Sequence, residues 1–164
     1  MWDINENKFK LYSGDYSLQT GCSSADVMRN RDIKIIGENY RGIDVSKIVP
    51  AAASYDYIGS EFRTDRNFEE YAFIKDCGSL IFENCFLNGE GKLEITAANP
   101  SSAVTLTVIR TDIDAVVASA DIPYTGGSER FVKVTAEFSK FDGICDLKFA
   151  ADGTLSLKSF QMFK

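Results

Sequence analysis

Histidine is absent from this 164-residue chain. The commonest general base is therefore missing. So are the Ser-His-Asp and Cys-His nucleophile systems and the paired-histidine zinc protease motif. The four cysteines, Cys22, Cys77, Cys85 and Cys145, form no CxxC pair, so no structural zinc site is expected. Neither common Gly-rich phosphate loop occurs, and nothing points to a cofactor. Only three prolines are present and low-complexity runs are lacking, which argues against disorder and against an internal linker. No apolar run approaches the roughly 20 residues that span a bilayer, so no membrane partner is expected. Met1-Trp2-Asp3 lacks the basic start and apolar stretch of a signal peptide. It reads as the start of a cytoplasmic protein or, the preferred reading, of a module cut from a longer chain.

Positive charge is also short, with 18 Lys and Arg against 24 Asp and Glu and a net charge of −6. An acidic chain repels phosphate backbones, so nucleic acid is not an expected partner. The local basic group Arg29, Arg31 and Lys34 does not reverse that. An uncharged ligand fits better. Two carboxylates alone can hydrolyse a glycosidic bond, and Glu61, Glu69, Glu70 and Glu83 are candidates. Carboxylates at this density are mostly solvated surface, however. A non-catalytic binder is the expectation, with no catalytic residue assigned.

What the chain does have is strand rhythm. Residues 92–98, 103–110, 115–122, 131–138 and 144–150 alternate or run apolar. Turn signals such as Asn88-Gly89-Glu90-Gly91, Tyr124-Thr125-Gly126-Gly127-Ser128 and Asp142-Gly143 separate them. Residues 71–75, 79–87 and 154–163 read as further strands, with Leu155 and Leu157 on one face and Ser156 and Lys158 on the other. Shorter strands are expected at 8–12 and 33–36, and a bulged one at 43–49. A helical turn is expected near 23–30, capped by Ser23 or Ser24. Residues 50–70, rich in aromatics and charges, read as a long loop. The first and last strands are expected to pair. With 45% hydrophobic and 12% aromatic residues, the chain supports one all-β domain over 1–164. Its class is a two-sheet antiparallel β-sandwich. Cys85 and Cys145 are expected in the core, whereas a Cys77–Cys85 disulfide and free thiols both remain open.

The order of these pieces resembles a family 6 carbohydrate-binding module, a galactose-binding-like jelly roll, over about residues 71–163. Residues 73–84 (FIKDCGSLIFEN) are similar to the family's segment with an aromatic-Ile pair and a central glycine. Ala120–Gly127 resembles its strand ending in Ser-Thr-Gly-Gly, and Phe141–Phe149 its Gly-x-His-Asp-Leu strand. Leu155–Phe160 matches its last strand. Asp15–Gly21 is similar to its opening Asp-Tyr-Ser, and 22–70 is then a loop-rich insertion.

That resemblance implies a sugar held at the loop end between two aromatic rings, with an Asn hydrogen bond. The first ring falls on Phe73, the second on Ser128, and the Asn on Ser156. One ring is thus missing, unless Tyr124 or a ring from the 50–70 loop replaces it. The expected contact surface joins Phe73, Tyr124, Ser128, Ser156, Tyr55 and Tyr57. The family's structural calcium would meet Tyr12, Gly14 and Lys158, and a lysine cannot ligate a cation, so no metal is expected. The resemblance further implies a polysaccharide or oligosaccharide ligand and a fused catalytic domain. It also implies a place outside the cell, secreted or at the surface, within a larger protein. The rival reading is a sandwich that packs on a catalytic partner and binds no sugar.

Overall fold

The computed structural model describes residues 2–23 and 25–164. Two compact units divide the chain, Met1–Arg41 and Gly42–Lys164. The sandwich therefore begins at Gly42 and does not take in the whole chain.

The first unit is made of strands β1 (Trp2–Asp3), β2 (Lys8–Phe9), β3 (Gly14–Ser23) and β4 (Asp26–Ile35). β1 pairs with β2, and β3 with β4, both antiparallel. β4 occupies the segment expected to turn helically. Its register sets Ile33 opposite Tyr16 and Arg31 opposite Leu18. Ladder bonds along ten residues outweigh a single helical turn with one cap. Ser23 does accept a bond from the Asp26 N–H at 3.1 Å, but as a hairpin turn rather than a helix cap. Ser24, the other expected cap, lies outside the described residues. The strand expected over 8–12 is limited to Lys8–Phe9. A small polar cluster anchors this unit: buried Tyr12 donates its hydroxyl to buried Asp3, and Lys10 lies 3.5 Å from the same carboxylate. Burial and the Asp3 bond push the Tyr12 phenol up to about 12.

The second unit adds β5 (Ile43–Asp44), β6 (Val49–Pro50), a 3-10 turn (Ala51–Ala53), β7 (Asp56–Thr64), β8 (Glu70–Asn88) and β9 (Lys92–Ala98). It continues with β10 (Val104–Arg110), β11 (Ala115–Ile122), β12 (Val132–Glu137), β13 (Asp142–Ala151) and β14 (Leu155–Phe163). The order across the sheet is β11-β10-β13-β8-β14-β9-β12, with β5, β6 and β7 attached at its margins. All these pairings are antiparallel except β5 with β8. The ends of the path meet, because Ala118 on β11 bridges to Phe138 just past β12. The result is a nearly closed, two-layered β-sandwich, as the strand rhythm predicts. The last strand pairs with β6, β8 and β9, whereas the first strand pairs with β2, so the expected first-to-last pairing is not what forms.

One continuous strand, β8, replaces the two expected at 71–75 and 79–87. Its first half, through Ile74, pairs with β14, and its second half, from Ser79, pairs with β13. β8 thus belongs to both layers, with the corner at 75–78. β7 bends at the same place: Ile58 faces Ser79, and Ser60 faces Ile74. Gly59 (φ +61°) makes β7's bend, and Gly78 lies against it. A Cβ on Gly78 would come within 2.8 Å of the Gly59 carbonyl, so the corner demands glycine there. The expected loop at 50–70 is therefore mostly strand, its true loop shrinking to residues 65–69. The aromatic-charge mixture of 56–64 hides the alternation, because an edge strand leaves most of its residues in water. The bulge expected within 43–49 is a turn, closed by Lys47 N–H to Asp44 C=O at 3.1 Å.

Alternation decides the core. On β10, Val104, Leu106 and Val108 are buried, and Thr105 and Thr107 are not. Phe82, Phe149 and Phe160 form a ring cluster with centroids 4.5–5.3 Å apart, holding the two layers together. Leu147, Leu155, Leu157 and Ile74 complete the packing, all fully buried. Truncating any of the three rings to Ala is expected to cost about 3–5 kcal/mol.

Candidate functional site

The layer that pairs β7, β8, β14, β9 and β12 carries the residues singled out by sequence. Residues directly opposite in an antiparallel pair share a face. Glu61 faces Phe73, Phe73 faces Ser156, and Ser156 faces Ala98. A row Glu61–Phe73–Ser156–Ala98 thus crosses the sheet on its outer face, opposite the core side occupied by Ala72 and Ile74. Phe131, just before β12, stands at the far end of this region and packs edge-on against Tyr71, with centroids 5.4 Å apart.

The structure brings Phe73 and Ser156 side by side, although they lie far apart in sequence. Between the Phe73 and Phe131 positions the floor consists of two small residues, Ser156 and Ala98. That floor is covered: Ser156 is 0% exposed, and its hydroxyl has no hydrogen-bond partner. Tyr71, also buried, lies on the same face two residues before Phe73, and Arg63 stands opposite it. The Arg63 guanidinium lies 3.7 Å from the centroid of the Phe73 ring, stacked on its face. Glu61 holds it there, accepting from Arg63 Nε at 2.7 Å, and Lys75 lies 3.0 Å from the same carboxylate. Lys75 and Arg63 hold the Glu61 carboxyl below its ordinary value. A general acid needs the opposite shift.

The neighbouring loops are fixed by two buried or half-buried groups. Asn99, fully buried, donates from Nδ2 to Ser102 C=O at 2.6 Å and to Ile122 C=O at 3.0 Å. Its N–H donates to Thr125 Oγ1 at 2.8 Å, and the Thr125 N–H returns to the Asn99 carbonyl at 3.0 Å. This pins the segment after β11, which carries exposed Tyr124 and half-buried Ser128. The second group is Lys158. Its ammonium lies 2.9 Å from Asp65 Oδ2, bonds Glu69, and sits 5.0 Å from the Phe131 ring centroid. Glu69 and Asp65 raise the Lys158 ammonium above its ordinary pKa, and Lys158 in turn lowers the Asp65 carboxyl. An ammonium held by two carboxylates does not fit a calcium ion at this position, since it competes for the oxygens a cation would need. Tyr12 and Gly14, the other positions expected near that cation, lie in the first unit. Among the described residues, no group of three or more acidic, cysteine or histidine side chains gathers as a metal site.

Tyr55 and Tyr57 are exposed, but on the other arm of β7. Tyr57 faces Leu80, beyond the corner from Phe73, and packs edge-on against Phe62 with centroids 5.3 Å apart. The register therefore does not set them beside Phe73. All four cysteines are free thiols; Cys85 and Cys145 are buried opposite one another on β8 and β13, and Cys22 and Cys77 are exposed. Sequence reasoning missed Arg63 as the cover of Phe73, Asn99 as the loop anchor and Phe131 as a ring at this end. Only Asn99 had a local signal, the Asn-Pro-Ser-Ser turn that ends β9.

Comparison of the sequence finds no matching protein-family model and no matching curated protein. Solved structures do match, and they define a fold class: the chain has the fold of the family 6 carbohydrate-binding modules. A module of Clostridium stercorarium, solved with cellobiose, superposes with a TM-score of 0.69 at 16% identity, covering 74% of this chain and 95% of that one. A family 6 module of Clostridium cellulolyticum, solved with xylose, gives 0.70 at 13% identity, covering 74% of this chain and all of that one. A family 43 glycoside hydrolase, an arabinoxylan arabinofuranohydrolase of Bacillus subtilis, gives 0.65 at 12% identity over 89% of this chain, which spans 33% of its length.

Proposed function

We propose that the chain is a non-catalytic carbohydrate-binding module that directs a polysaccharide-degrading enzyme to its glycan. The observation that carries this reading is the Phe73–Ser156 juxtaposition on an outer sheet face, beside loops pinned by Asn99 and Lys158. An aromatic ring between a carboxylate, Glu61, and a serine, Ser156, suits a pyranose, whose C–H face is apolar and whose rim is all hydroxyls. The neighbours' reported ligands, cellobiose and xylose, support a neutral plant-type glycan. The likeness to part of a glycoside hydrolase supports fusion to a catalytic domain, and hence a secreted or surface location. Phe73, Tyr124, Ser128 and Ser156 would form the contact surface, and Tyr55 and Tyr57 would serve a ligand that extends over the β7 edge. Such a module raises the concentration of its enzyme on the substrate without new chemistry.

Titration calorimetry with xylan, mixed-linkage glucan and laminarin, together with xylo- and cello-oligosaccharides, tests the reading. Measurable binding of at least one is expected. Reducing-sugar release from the same polysaccharides is expected to stay at background.

One observation favours a second reading. Arg63 already occupies the Phe73 face, and Ser156 is wholly covered. A sandwich whose cleft is filled by its own side chains suits a domain that packs on a catalytic partner. Absence of glycan binding by the wild type, with binding to a co-expressed catalytic domain, would favour it.

A further inference from the structure

The turn between β7 and β8 holds an aromatic ring where the fold gains nothing from it. Phe68 is 89% exposed and has φ +62°. A bulky side chain in the left-handed region costs on the order of 1–3 kcal/mol, and Gly or Asn would relieve it. Asn67 stands next door, so exchanging the two residues would supply the relief within the same turn. An exposed ring also keeps its apolar faces in water. Two penalties thus fall on one residue, and no packing offsets them.

The turn itself is rigid. Asp65 Oδ1 accepts the Asn67 N–H at 2.8 Å and the Glu69 N–H at 3.0 Å. The Phe68 N–H bonds the Asp65 carbonyl at 3.0 Å, and the Asp65 N–H bonds the Glu69 carbonyl at 2.9 Å. Lys158 grips the other oxygen of Asp65, whose side chain is only 6% exposed. The ring is therefore displayed on a fixed pedestal, with little ordering left to lose on binding. Arg66 and Asn67 precede it, and Arg66 Nε lies 3.5 Å from Glu129, which ties this turn to the segment bearing Tyr124 and Ser128. Ion pairs hold the charges at this end, Arg66 with Glu129 and Lys158 with Asp65 and Glu69, and leave the group net negative. A neutral ligand is favoured over an anionic one.

We propose that Phe68 is a stacking platform for a neutral pyranose ring, forming an outer subsite of the loop-end site. This rests on the carbohydrate-binding reading above. Its chemistry is that of a flat apolar face, with Arg66 and Asn67 preceding it in the same turn as residues whose side chains can bond sugar hydroxyls. The subsite would let a glycan bind at an end where the inner ring, Phe73, is stacked by Arg63.

The test is calorimetry of the full chain and its Phe68→Ala, Phe68→Gly and Phe68→Trp variants against xylan, laminarin, mixed-linkage glucan, xylohexaose and cellohexaose, with a thermal melt of each. Phe68→Ala and Phe68→Gly are expected to weaken the best-bound glycan by about tenfold or more, and Phe68→Trp to retain it. The Phe68→Gly melting temperature is expected to hold or rise, since glycine removes the left-handed strain. A structural role for the ring predicts a fall in both small variants instead, which overturns the proposal. Glycan binding that stays within about twofold of wild type in Phe68→Ala also overturns it while leaving the carbohydrate reading intact. A wild-type protein that binds none of the five overturns both.

Discussion

Arg63 lies face-on over Phe73, its guanidinium 3.7 Å from the ring centroid, and Glu61 holds it there. The ring that best fits a sugar platform is therefore already stacked. A saccharide has to displace the guanidinium to use that face, giving up a cation–π contact worth about 0.5–1 kcal/mol at a partly exposed site. Removing Arg63 removes the competitor. Arg63→Ala is expected to tighten oligosaccharide binding by a few-fold, on the order of that contact converted to affinity, and to lower stability by a similar amount. Calorimetry and urea unfolding read the two effects. Weaker binding in Arg63→Ala would show that the guanidinium is itself a sugar contact, and unchanged binding that Phe73 takes no part.

Asp65 and Glu69 hold the Lys158 ammonium at the position where the resemblance would set a cation ligand. The expected melting temperature is the same in millimolar calcium and in chelator, and a shift of many degrees would reveal a cation site elsewhere.

The same ammonium makes a pH signature. Lys158 holds the Asp65 carboxyl below its ordinary value, so the contribution is present above the unfolded-state carboxylate pKa, about 3.9. It is lost as pH falls through the lower folded value. Glu69 and Asp65 raise the Lys158 ammonium, so at the alkaline end the contribution is full below about 10.4 and fades as pH rises through the folded value. Lys158→Met is expected to melt below wild type at neutral pH, with the gap closing in acid. Melts from pH 2 to 8 check this, and a gap that persists at pH 2 would assign the loss to packing instead.

How much of this could be read from sequence depended on where each residue sits in the sheet. Strands β9, β10 and β11 match their expected bounds to within a residue; β9 and β10 have a ladder partner on each side that enforces alternation, and β11, at the end of the path, buries one face against the core. The edge strand β7 reads as loop in the sequence, since water on one side removes the pattern. The corner in β8 looked like a break between strands: Asp76-Cys77-Gly78 is turn-like locally, but the chain runs on into the second layer. Asp15–Gly21, the stretch similar to a family opening, lies in the first unit. At the site, the pairing of Phe73 with Ser156 was legible through the resemblance. The cover supplied by Arg63 was not, because two residues ten apart on a hairpin meet only once its register is known.

The cysteines give an independent check on the core. Burial pushes the Cys145 thiol up to about 11, and raises Cys85 further. At pH 8 both remain thiols, and both are shielded. Cys22 and Cys77 are exposed. Alkylation of the native protein with iodoacetamide is expected to modify Cys22 and Cys77 alone, and all four after guanidinium unfolding. Native labelling of Cys85 or Cys145 by mass spectrometry would mean that the β8–β13 pairing opens readily.

Ser156 separates folding from binding most sharply. Its hydroxyl is fully buried with no hydrogen-bond partner. A buried hydroxyl without a partner costs roughly 1–3 kcal/mol of lost hydration. Ser156→Ala removes the oxygen at nearly constant volume, so it is expected to stabilise the protein by about 1 kcal/mol, the lower end of that range. The consequence for binding depends on the cover. Wholly buried, the hydroxyl cannot reach a ligand, and Ser156→Ala is expected to leave affinity unchanged. Arg63→Ala clears the face of the neighbouring Phe73 ring, and adding Ser156→Ala is expected to lose the affinity gained where that clearing also opens Ser156. Calorimetry on the two single variants and the double variant forms a cycle whose coupling reports that dependence. Strict additivity would show that a ligand never reaches the floor of this site, and that binding is confined to the exposed rings at its rim.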